Sequence, residues 1–154
     1  MSTQQANSFV TASVSRNAAV ALIDAALAHA DKAGIEVSIA ITDAGGHLKA
    51  FQSTDNARFL TCDVAIDKAW TAASYGIPTH MWNSLLTGNS KIEQLSHRPR
   101  MVAVGGGHPI LENGKLIGGI GISGGNYHQD ARACEVALES VGFQVSVGFA
   151  VPAE

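Results

Sequence analysis

The sequence predicts an α+β fold, an antiparallel sheet flanked by helices, and three observations carry that expectation. Two short β-branched or apolar runs are each joined to a returning run by turn residues: 36–42 to 47–52 around Asp43-Ala44-Gly45-Gly46, and a strand ending near Leu111 to 115–122 around Asn113-Gly114. Helical periodicity fills the segments between and around these hairpins. No βαβ repeat occurs, which argues against a parallel doubly wound sheet. A chain of 154 residues suits one domain with a proper core.

Taken in order, residues 1–14 are small and polar and read as an N-terminal arm. Ser15 offers an N-cap for a helix to about Lys32, with Ala19, Leu22, Ile23, Ala26, Leu27 and Ala30 at helical spacing and Gly34 at its end. The first hairpin leads into a polar loop, 53–58, that carries Asp55 and Arg58. Functional residues concentrate on such loops, and helix capping with a surface ion pair explains the two equally well. A second helix spans 59–75 and closes at Gly76 and Pro78; it sets Lys68 among small or apolar neighbours. A lysine so placed either reaches water or brings its charge to a ligand or an acid. A shorter helix, 79–86, holds His80, and 88–100 is irregular with a helical turn near 92–95. Asn126 caps a last helix, 127–141, ended by Gly142, and 144–149 alternates as a C-terminal strand or arm within 143–154.

Nine of the 24 residues from Val102 to Gly125 are glycine. Gly118, Gly119 and Gly121 lie inside a strand, where their use is close approach by a helix, another backbone or a ligand. Gly105-Gly106-Gly107 before His108-Pro109 stands at the mouth of the hairpin, where bare backbone N–H groups line a pocket for an anion or polar ligand. The loop Ser123-Gly124-Gly125 belongs to the same candidate ligand site.

Hydrophobic residues make up 46% of the chain and charged ones 15%, with mean hydropathy +0.13. So little charge leaves surface for other subunits, and a homo-oligomer is expected. No basic block or aromatic-basic interleaving suits nucleic acid. No apolar run approaches a membrane span and the N-terminus does not read as a signal peptide, so the expected location is the cytoplasm. Cys62 and Cys134 have no ligand spacing and read as reduced thiols, Cys62 being the better nucleophile candidate. No metal-ligand cluster of recognised spacing is visible, and the metal question stays open.

Several motifs together resemble the GlcG/HbpS family, which includes PduO C-terminal domains and OrfY-like proteins. They are VSIAITDAGGHLKAF from Val37, Thr54-Asp55-Asn56-Ala57, DKAWTAA from Asp67, GGGHPI from Gly105, LIGGIGISGG from Leu116, and Asp130. The resemblance implies a profilin-like single domain, assembly into dimers, tetramers or octamers, and haem as a ligand. In some haem-binding relatives an N-terminal histidine contributes, but this chain has none before His29. Haem ligation would then fall to His47, His80, His108, His128 or a cysteine. The alternative is a cofactor-independent isomerase, lyase or hydratase acting on a small oxygenated metabolite of a catabolic pathway, so whether the chain is an enzyme stays open. There the glycine amides stabilise a carboxylate or enolate, Lys68 or Arg58 holds charge, and His80, His108 or Asp55 moves a proton. A structural or sensory accessory role is the third possibility.

Overall fold

The computed structural model describes residues 4–146. Helix α1 (Arg16–Ala33) is capped by Ser15, whose hydroxyl accepts from the Ala18 amide, and ends at Gly34 in the left-handed region (φ 67°). Strands β1 (Ser38–Asp43) and β2 (Leu48–Ser53) form the first hairpin, then α2 (Leu60–Tyr75) and α3 (Thr79–Leu86) follow. A 3-10 helix (Glu93–His97) precedes β3 (Gly107–Glu112) and β4 (Lys115–Ser123), and α4 (Tyr127–Val141) closes the fold. Asn126 and Gln129 build a reciprocal capping box at its start. Asn113 and Gly114 both take positive φ, 52° and 76°, as the type I′ hairpin expectation requires.

The four strands form one antiparallel sheet in the order β2-β1-β4-β3. Pleating divides its faces. Ile39, Ile41, Ile110, Ile120 and Ile122 pack with Leu22, Ala26, Ala133 and Leu138 of α1 and α4. On the other face Ala40 packs with Ala65 and Ala69 of α2. The second face works by subtraction: a Cβ on Gly121 would collide with the Ala65 carbonyl, and one on Gly119 with the Ala69 carbonyl. Helix-on-sheet packing is therefore what these two strand glycines serve, whereas Gly118 is pressed against the carbonyl of Thr42 in the neighbouring strand β1.

The N-terminal segment runs irregular and exposed from 4 to 13. It docks at Val14, which is buried and donates to the Ile117 carbonyl at 2.8 Å. Residues 143–146 are irregular rather than extended in a strand, and the remainder of the expected C-terminal strand or arm, 147–154, lies outside the described residues, as do 1–3. Among the described residues no helix is long and apolar enough to cross a membrane.

Gly121→Ala should lower unfolding free energy by about 1–3 kcal/mol or more through overpacking against α2. Gly114→Ala, at a turn with open space around it, should cost less. Urea unfolding of the two variants checks the order.

Candidate functional site

The start of β1 and the end of β4 meet at one end of the sheet. Ser38 pairs with both Ser53 and Ser123, so the loops after β2 and β4 leave side by side. At this end Lys68 of α2 extends to α4. Its ammonium donates to the Ile122 carbonyl at 3.0 Å and to Asp130 Oδ2 at 3.3 Å, with both side chains buried. The other Asp130 oxygen accepts from the Gly125 amide at 2.9 Å. Burial pushes the Asp130 carboxyl above its ordinary range, while Lys68 and the amides of Gly125 and Gly124 pull it back. Of the destinations open to Lys68 in the sequence, the structure gives an acid.

Gly106 makes this reach possible. A Cβ there would stand 2.7 Å from Lys68 Nζ, 2.6 Å from the Ile122 oxygen and 2.8 Å from Asp130 Cβ, and its φ is 121°. The Gly106 carbonyl accepts from the Ile122 amide at 2.7 Å and from the Cys134 thiol at 3.2 Å. The Gly107 amide donates to Thr79 Oγ1 at 2.9 Å, so this N–H is bound within the fold rather than offered to an anion. Pro109 is buried opposite Gly119. Gly124 (φ 141°) turns the chain against the Glu36 carbonyl, and Ser123 is buried. Of the glycine triplet, Gly105 lines open space.

That space is a cleft between α3, Gly105 and the start of α4. One lobe, of about 420 Å³, is lined by His80, Gly105, Tyr127, His128, Ala131, Arg132 and Glu135. A second, of about 490 Å³, shares His80, Gly105 and Tyr127 and adds Asn83, Ser84 and Val104. The cleft is pinned from behind by Thr79, whose hydroxyl holds the Gly107 amide and donates to the Val104 carbonyl.

His108 is buried behind the wall of this cleft, beside His80 and Glu135, and lines neither lobe. It is 1% exposed, and neither ring nitrogen has a hydrogen-bond partner. Its ring centroid is 5.8 Å from that of His80, and its Nε2 is 4.0 Å from Glu135 Oε1. Burial, with the charge of His80 adding, holds His108 down at about 4. It is therefore neutral near pH 7, and the approach to Glu135 is a contact between a neutral ring and a carboxylate rather than an ion pair.

Asp55 and Arg58 are not brought to this cleft. Both are exposed, and Asp55 lines a separate polar recess with Asp31, Glu36 and Thr54. They form no ion pair with each other among the described residues; instead the Arg58 carbonyl accepts from the Thr61 amide and hydroxyl at the start of α2. His47 is bound to Asp43 in the first hairpin turn. Cys62 is half-buried, with the hydroxyls of Ser53 and Ser38 each 3.5 Å from its sulfur, and these hold its thiol below the ordinary range. Cys134 is buried, and burial pushes its thiol up. Both thiols are free.

Tyr127, Arg132, Glu135 and Thr79 were absent from the sequence-level site. The first three had a signal: 127, 128, 131, 132 and 135 fall on one face of a helix, opposite the buried Asp130, Ala133, Cys134 and Ala137.

Two outcomes follow. Asp130→Asn leaves a buried ammonium without its counter-charge and should cost about 3–5 kcal/mol in chemical denaturation. His108 binds a proton less tightly folded than unfolded, so its contribution is complete above its ordinary value of 6.5 and is lost as pH falls through that value toward about 4. The loss should reach roughly 3 kcal/mol, at ~1.4 kcal/mol per pKa unit. His108→Gln should flatten that part of the stability–pH curve.

Comparison with known proteins agrees with this architecture. A family model described as haem degrading protein HbpS-like matches residues 14–139. An uncharacterised 15.0 kDa protein from the dhaT-dhaS intergenic region of Citrobacter freundii is 33% identical over 130 residues, covering 83% of this chain and 92% of that protein. The crystal structure of Klebsiella pneumoniae ORFY superposes with a TM-score of 0.85 at 30% identity, covering 90% of this chain and 97% of that one. The PduOC complex with haem gives 0.80 at 27% identity, covering 86% and 98%. With most of its length matched by one model and an α+β fold shared with these structures, the chain belongs to the HbpS-like family.

Proposed function

We propose that this protein binds haem in the cleft between α3 and α4. The observation that carries the reading is the donor set: two imidazoles, His80 and His128, line one cleft together with Tyr127, Ala131 and the Arg132 guanidinium. Imidazole at an open surface is a common axial ligand of haem iron, the macrocycle needs ring and aliphatic contacts, and its carboxylates suit a cation. His80 and His128 are the axial candidates, since His108 is buried and His47 is engaged with Asp43. Bound haem would supply an iron centre for oxygen or electron chemistry. The haem complex of the structurally similar PduOC supports the choice of ligand.

Assembly into a homo-oligomer, as a dimer, tetramer or octamer, and a cytoplasmic location belong to the same reading. Leu48 and Phe51 of β2, with Phe59 and Leu60 at the start of α2, stand exposed, Phe59 at 91%. Such apolar area suits contact with another copy.

Titration of the purified protein with haemin tests the proposal. A sharp, saturable Soret band at one haem per subunit or per dimer is expected, lost in either His80→Ala or His128→Ala. A broad spectrum that never saturates, unchanged in both variants, would overturn it.

A further inference from the structure

The geometry points to an acid–base site in the same cleft: His80 exchanges a proton with a small carbonyl compound, and His108 and Glu135 stand behind it as positioning residues. This does not rest on haem binding, because it uses only side chains of the chain itself. Three observations carry it. His80 is exposed and lines both lobes of the cleft. Behind it lies an imidazole shielded from water with both nitrogens unpartnered, which is unusual for a buried polar ring. Glu135, half-buried and lining the cleft, has an oxygen 4.0 Å from that ring, so a small side-chain rotation brings it to hydrogen-bonding distance.

The rest of the cleft defines the ligand. Arg132, exposed and 3.2 Å from Glu135, offers a guanidinium for a carboxylate or a polarised oxygen. A base beside a cation fits a compound whose C–H bond adjoins a carbonyl, such as a 2-oxo acid or a short hydroxy-ketone. In the step, that C–H bond breaks and its electron pair forms the carbon–carbon double bond of an enolate, with the negative charge on oxygen. The proton passes to an imidazole nitrogen of His80. Its return to the same carbon completes an exchange. With a hydroxy-ketone, passage of the hydroxyl proton from one oxygen of the enediolate to the other and return of the carbon proton to the neighbouring carbon complete an isomerisation, with no other reactant consumed.

The test uses the haem-free protein in D2O with pyruvate, 2-oxobutyrate, glycolaldehyde and dihydroxyacetone, following loss of the proton signals next to each carbonyl by NMR. At least one probe should exchange about a hundredfold faster than with an equal concentration of free imidazole. His80→Gln should bring that rate to the imidazole level. His108→Gln and Glu135→Gln should each lower it roughly tenfold and shift the midpoint of its pH–rate curve, which a purely structural role would leave in place. Glu135→Gln, at the cleft rim, keeps the test decisive should His108→Gln fail to fold. If all four probes exchange no faster than with imidazole, or His80→Gln matches the wild type, the acid–base site is overturned. If the Glu135 and His108 variants keep both rate and midpoint, their positioning role is overturned. The haemin titration reads neither result, so the two proposals fail separately.

Discussion

The depth at which α2 sits on β4 governs the arrangement of the cleft. Gly119 and Gly121 let the helix backbone come down to the sheet, where a methyl group would meet the carbonyls of Ala69 and Ala65. Only from that depth does Lys68 pass the end of the sheet and reach Asp130 on the opposite layer. The ammonium, the Asp130 carboxylate and the Ile122 carbonyl then tie both helix layers to the last strand. Asp130 in turn fixes Gly125 and the first turn of α4, whose outer face supplies Tyr127, His128 and Arg132. A buried charged pair is rarely a large source of stability, but once built it is costly to break, and it admits few alternative packings.

On the other side of the cleft the restraint is neutral. Thr79, the first residue of α3, holds the backbone of the glycine segment at Gly107 and Val104. His80 follows it directly, so the same turn that anchors α3 presents an imidazole to solvent. The cleft thus has one wall set by an ion pair and one by a hydroxyl, with Gly105 between them close to the Tyr127 carbonyl and to His80 Cβ.

Local chemistry made much of the fold legible in the sequence. Ser15, Gly34 and Gly142 mark helix ends through capping geometry, and Asn113-Gly114 marks a hairpin through positive φ. These are short-range properties, and the helices and hairpin strands they bound fall within a residue or two of their expected limits. The site was less legible because its contacts join residues far apart in the chain. Nothing near Lys68 says that its partner lies 62 positions away, and nothing in Gly-His-Pro-Ile says that α4 will cover the histidine ring. Asp55 and Arg58 differ: the polar loop that groups them with the site in sequence lies away from the cleft, at the start of α2 and beside a separate recess. The glycine triplet fell between these cases, its place legible and its purpose divided, with Gly106 and Gly107 serving the fold and Gly105 the cleft.

The empty side of Gly106 has an evolutionary consequence. The volume a side chain would fill there is taken by the tip of Lys68 and the flank of Asp130, so positions 68, 106 and 130 share one small space. None can drift alone: a larger residue at 106 evicts the ammonium, and a shorter residue at 68 strands the carboxylate. Divergence at this corner must therefore proceed by coupled replacement, through an intermediate less stable than either end.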